Sequence, residues 1–132
     1  MKIKHKRPPN YDEIIKHFPA VADMSGVIFT YGDTLYVPSG NDIPDHLMKH
    51  EETHQRQQEE LGKDVWWEYY FDNPNFRLMQ EVEAYRNQYA HIKEHSNRQS
   101  RRQLLQQLAK DLSRPMYGNL VSREKAKKLI TE

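Results

Sequence analysis

The chain is predicted to fold as an α+β domain, predominantly helical, with a small antiparallel β-hairpin packed on one central helix. Three observations carry this expectation. From residue 45 onward, blocks with helical spacing are bounded by Gly62, the Asp72–Asn75 turn, the polar stretch 96–100 and Pro115. Between Gly26 and Pro38, two β-rich runs flank a Gly32-Asp33 pair, the pattern of a hairpin. At 132 residues and 36% apolar, the chain suits one domain with a modest core, for which 8 Tyr, 4 Phe and 2 Trp supply the bulk.

The elements follow in order. Residues 1–9 read as a loose basic arm ending in Pro8-Pro9. Residues 10–18 suggest a short amphipathic helix, stopped by Pro19. Val27–Tyr31 and Thr34–Val37 are the hairpin strands, and Pro38-Ser39-Gly40-Asn41 breaks the second. A long helix starts near Pro44-Asp45, with Asp42 or Asp45 at its N-terminus, and Gly62 stops it. The aromatic-dense stretch 63–72 reads as a helix beginning after Asp64, followed by a turn at Asp72–Asn75. Residues 76–95 form a helix whose apolar stripe is Leu78, Val82, Tyr85, Tyr89 and Ile92. Leu104, Leu105, Leu108 and Leu112 mark another over 101–113, ended by Pro115. Ser122 is placed to cap a last helix over 123–131.

Charge is unevenly distributed. Residues 1–7 carry +4, residues 8–92 carry −9 and residues 93–132 carry +6. The basic residues are spread rather than blocked. They read as solvated faces complementing an acidic body, not as a nucleic-acid patch. No apolar run approaches the length of a membrane span, and the basic N-terminus lacks the apolar core of a secretory signal. The expected setting is cytoplasmic, with no membrane partner.

The chemistry-bearing motif is His50-Glu51-Glu52-Thr53-His54. On a helix, positions four apart lie about 40° apart around the axis and about 6 Å along it, so both imidazoles can reach one metal ion. Glu51, beside the first of them, can take a proton from a metal-bound water. There is no Cys, so any site uses His and carboxylate ligands. Gln57 and Glu60 stand where the longer three-histidine pattern needs Gly and His. The third ligand is therefore sought on a later helix.

Glu81 and Glu83 both qualify by type, and helix phase separates them. Glu81 lies on the apolar stripe between Leu78 and Tyr85. Glu83 shares the outer face with Gln80 and Asn87. A buried carboxylate needs a metal or a charged partner, and for Glu81 the competing reading is a salt bridge to Arg77. Glu83 reads as a solvated pair with Arg86 or Asn87. His46 reads as rim or exposed, since 46, 50 and 54 span about 12 Å. Trp66 and Trp67 read as core.

Together, His50-Glu51-x-x-His54 and Glu81-Val82-Glu83-Ala84-Tyr85 resemble the gluzincin arrangement of zinc metallopeptidases. The likeness is to small single-domain members, including those of phage and prophage contexts. It spans roughly residues 26–92 and includes Tyr31-Gly32-Asp33, Leu35–Pro38, Gln57-Gln58, Trp66-Trp67 with Tyr70 and Asp72, and Phe76-Arg77 leading into Glu81. The resemblance implies a minimal zincin-like domain, with a catalytic core over 10–95 and a C-terminal helical segment over 96–132. It implies zinc held by His50, His54 and Glu81, with Glu51 as general base in hydrolysing a peptide or protein substrate. It also implies an edge strand above the motif helix, one of the hairpin pair, that binds substrate backbone. Where larger gluzincins often carry an Asp supporting a zinc-bound histidine, this chain has Tyr85. Tyr117, His91 and His95 are candidates for stabilising the oxyanion. The alternatives are a non-catalytic zinc module that binds a protein or nucleic acid, and a latent peptidase covered by its charged ends.

Overall fold

A computed structural model describes all 132 residues. It is an α+β fold of six α-helices and a three-stranded sheet: β1 (Lys2–Lys4), α1 (Tyr11–His17), β2 (Phe29–Tyr31), β3 (Thr34–Tyr36), α2 (Asp45–Leu61), α3 (Lys63–Asp72), α4 (Pro74–His95), α5 (Arg98–Leu112) and α6 (Arg123–Thr131). Two 3-10 turns, Pro19–Asp23 and Pro115–Tyr117, complete it.

The sheet corrects two expectations. Its order is β1-β3-β2, with β2 antiparallel and β1 parallel to β3, so it is mixed rather than an antiparallel hairpin alone. The N-terminal arm supplies the extra strand: Ile3 pairs with Leu35 in register, and Lys2 N–H donates to Asp33 O at 3.0 Å. Its three residues are exposed, so pairing rather than burial decided their conformation, and no apolar alternation advertised it.

The helical punctuation follows capping chemistry. Asn73 Oδ1 accepts from Phe76 N–H at 3.0 Å with Pro74 at the first helical position, so α4 begins two residues earlier than expected and the turn shrinks to a single cap. Asn97 Oδ1 accepts from Ser100 N–H and moves the start of α5 to Arg98. Ser122 Oγ caps α6 through Lys125 N–H. Asp45 stands in the first turn of α2, as expected, but neither it nor Asp42 caps the helix; Pro44 occupies that place without a side-chain bond.

Two apolar clusters form the core. One gathers Ile14, Phe18, Val21, Phe29, Tyr36, Trp66 and Tyr70; the other gathers α4, α5 and α6 around Ile92, Leu108, Leu112 and Ile130. Between them runs α2, whose six buried side chains are all polar: His50, Glu51, Thr53, His54, Gln57 and Gln58. A buried polar face is tolerated only if each group finds a partner, and each of these does. The pairings of α2 with α4 run in opposite sequence directions, Gln57 to Gln80, His54 to Glu81 and Thr53 to Asn87.

Arg77 is buried, yet it does not pair with Glu81. Its guanidinium donates to Tyr117 O at 2.8 Å and Tyr70 O at 2.6 Å, tying the 115–117 turn to α3. Gly118 closes that turn at φ +86°, and a Cβ there would stand 3.0 Å from Arg77 Nη2. Gly118→Ala is expected to destabilise the protein by about 1–2 kcal/mol, from the left-handed backbone and the close approach. An unchanged urea midpoint would show that the turn relaxes instead.

Candidate metal centre

His50 and His54 project from α2 and Glu81 from α4 into the seam between the clusters, all three buried. The helix period puts the two histidines on one face, and the Leu78–Tyr85 stripe turns Glu81 toward them. His54 Nε2 lies 3.1 Å from His50 Nε2 and 3.1 Å from Glu81 Oε1; His50 Nε2 lies 3.3 Å from Glu81 Oε1. A tetrahedral ion with bonds of about 2.0–2.1 Å keeps its ligand atoms about 3.3–3.4 Å apart. The triad therefore fits a small divalent ion, and its imidazole-rich donor set does not suit calcium.

The remaining atoms of the triad are engaged outward. Gln88 Oε1 lies 3.0 Å from His50 Nδ1, and Gln57 Oε1 lies 2.9 Å from His54 Nδ1. Tyr70 donates its hydroxyl to Glu81 Oε2 at 2.5 Å. Tyr85 and Trp66 pack edge-on against His50 and His54, with ring centroids at 4.4 and 5.5 Å. Glu51 is also buried; Thr30 of β2 donates to its Oε2 at 2.6 Å.

Without a metal, the cluster is a buried imidazolium–carboxylate pair. Burial alone would push His54 down, but the Glu81 carboxylate outweighs it and holds the imidazolium up to about 9. Burial alone would raise Glu81, but His54 and then His50 hold its carboxyl far below the ordinary range. His54's contribution to the metal-free fold is full below its ordinary value of 6.5 and lost as pH rises through about 9. Glu81's contribution is present above its ordinary value of 4.5 and lost as acid protonates it. Metal-free stability should therefore peak between those ordinary values. Metal binding must expel the Nε2 proton of His54. About one proton should leave per ion at pH about 7, with affinity rising about tenfold per pH unit toward 9. Titration calorimetry in buffers of different ionisation enthalpy measures this; no buffer dependence would mean the pair does not hold that proton.

Two hollows meet at the centre. One, of about 70 Å³, is walled mainly by apolar and aromatic side chains, including Phe18, Phe29, Trp66 and Trp67. The other, of about 170 Å³, opens past Met24, Leu47, Asp111 and Arg114. His50, Glu51, Val27, Ile28, Met116 and Tyr117 line both. The C-terminal segment thus walls the site through Met116 and Tyr117 rather than standing apart from it.

Of the other sequence candidates, Tyr85 sends its hydroxyl to Tyr117 at 2.8 Å, not to an imidazole nitrogen. Glu83 pairs with Arg56 at 2.8 Å and accepts from Gln57 Nε2 at 2.8 Å, where Arg86 or Asn87 was expected. His91 and His95 stack on each other away from both hollows. His46 reaches the cluster indirectly, through Gln88. Sequence reasoning gave no site role to Thr30, Gln57, Tyr70 or Gln88. Helix phase could have found two of them: Gln57 lies three residues after His54, and Gln88 seven after Glu81, on the same faces.

No protein-family model, curated protein or solved structure matches this chain.

Proposed function

We propose that the protein is a zinc-dependent peptidase of the gluzincin type, hydrolysing peptide bonds with Glu51 as general base. The observation that carries this reading is the position of Glu51. Its carboxylate shares both hollows with His50 and is held by Thr30 through one oxygen, while the other has no partner in the protein. A purely structural metal site has no use for a buried carboxylate beside it.

Zinc bound by His50, His54 and Glu81 would supply Lewis acidity toward a carbonyl and lower the pKa of a water to about 7. Glu51 takes a proton from the attacking water and delivers it to the departing amine nitrogen as the C–N bond breaks. Tyr117, which lines both hollows, is the candidate donor to the oxyanion, with Tyr85 orienting its hydroxyl.

β2 is an edge strand, and Gln58 holds it against α2, its amide donating to Thr30 O at 2.9 Å and accepting from Gly32 N–H at 2.7 Å. With those two groups taken, the stretch suited to receive the peptide is Val27 and Ile28, which lead into β2 and line both hollows. The apolar lining of the smaller hollow favours an apolar side chain of small size.

A second reading is favoured by the closure of the site. The four central side chains are only 3–6% exposed. In that reading the ion clamps α2 to α4 and no substrate enters. Incubating the zinc-loaded chain with mixed unfolded peptides, and reading the products by mass spectrometry, separates the two. New termini that vanish with a chelator and return with zinc support the peptidase. None, in a protein that binds zinc and is stabilised by it, supports the clamp.

A further inference from the structure

We propose that Gln57 and Gln88 are positioning residues that select the metal-binding nitrogen of His54 and His50, and that His46 decides which way Gln88 points. The inference rests on the triad holding zinc, not on peptide cleavage. An imidazole that ligates through Nε2 carries its proton on Nδ1, so whatever faces Nδ1 must accept.

At His54 this is settled by neighbours that have no alternative. The Gln57 amide nitrogen donates to Gln80 O at 3.1 Å and to Glu83 at 2.8 Å, both strict acceptors. Its oxygen is left for His54 Nδ1 at 2.9 Å. Turning the amide over would set its NH₂ against an N–H and its oxygen against two oxygens. Gln57 is locked, and so is the tautomer of His54.

At His50 the corresponding amide lies between two imidazoles. Gln88 Oε1 faces His50 Nδ1 at 3.0 Å, and Gln88 Nε2 faces His46 Nδ1 at 2.9 Å. Neither neighbour is a strict acceptor. The orientation that suits metal binding holds only while His46 offers the lone pair of Nδ1. In the reversed orientation Gln88 donates to His50 Nδ1, moves the His50 proton to Nε2 and blocks ligation. Gln88 is 3% exposed, so water does not reach in to substitute for either partner. His46 is half-buried and sits at the outer end of this relay. The two ligands of one motif are thus held by different means, one rigidly and one conditionally.

Zinc affinity of the full chain, measured by competition with a chromogenic chelator, tests this directly. Gln57→Leu and Gln88→Leu should each weaken zinc about ten- to a hundredfold. Gln88→Glu should restore wild-type affinity or better, because a carboxylate has no donating end. His46→Leu should weaken zinc several-fold in the wild-type background and not at all beside Gln88→Glu. Equal losses from His46→Leu in both backgrounds would mean that His46 acts by packing, and would overturn the relay. Should Gln88→Leu fail to fold, the His46→Leu and Gln88→Glu cycle still decides. No zinc binding by the wild type would end this inference and the metal centre together; zinc bound without cleavage would end only the peptidase reading.

Discussion

Replacing Glu51 with Gln is expected to leave zinc bound at one equivalent and to lower peptide cleavage by about 10²- to 10⁴-fold, the usual contribution of a positioned general base. The substitution is nearly isosteric. The amide oxygen can still accept from the Thr30 hydroxyl, which donates to Glu51 at 2.6 Å, so β2 keeps its hold on α2. The new NH₂ then occupies the place of the free carboxylate oxygen, and it can donate but cannot take a proton. The ligand triad is not touched. A drop in activity with unchanged zinc stoichiometry would therefore locate the loss in proton transfer. Full activity in a zinc-loaded Glu51→Gln protein would overturn the mechanism.

Glu81→Gln is expected to have the larger effect on the molecule as a whole. Glu81 is the one carboxylate of the candidate triad, 3% exposed, with one oxygen facing both histidines and the other accepting from Tyr70. The amide can keep the Tyr70 bond through its oxygen. It then turns NH₂ toward His50 and His54, where an ion would need a lone pair. Zinc should no longer raise the melting temperature. The metal-free protein should also suffer, because His54 loses the carboxylate that holds its proton. An orphaned buried charge costs about 3–5 kcal/mol, and His54 can limit this by going neutral, so about 3 kcal/mol is expected. For a domain of this size that corresponds to a melting temperature lower by about 10 °C. Scanning calorimetry with and without zinc measures both effects. A Glu81→Gln protein that binds zinc as tightly as wild type would mean that the third ligand lies elsewhere.

Most helices were readable because their signals are local. Asn, Ser, Gly and Pro at the ends, and apolar spacing between, place α2 through α6 within a few residues. Glu81 was readable because a carboxylate on an apolar stripe is an anomaly that only a buried partner resolves. What was not readable has a shared origin. Lys2–Lys4 carries no strand pattern, and β3 recruits it through backbone pairing that no side chain announces. The salt bridge from Arg77 to Glu81, which stood only as the competing reading, does not form. The Arg77 guanidinium instead satisfies two carbonyls from α3 and the 115–117 turn.

The sequence alone pointed to His50, His54 and Glu81 as a group that could hold a metal, to the position of Glu51 beside it, and to the order of the helices. Each follows from spacing along a helix, which is a short-range property of the chain. Only the tertiary structure decided what surrounds that set: Gln57 and Gln88 behind the imidazoles, Tyr70 behind Glu81, Thr30 on Glu51, and Met116 and Tyr117 closing the hollows. Gln57 and Gln88 come from α2 and α4 themselves, and the rest from three other elements, β2, α3 and the 115–117 turn. They meet because a helix with an all-polar buried face must be matched, atom by atom, by whatever packs against it, and that matching is a property of the assembled fold rather than of any segment.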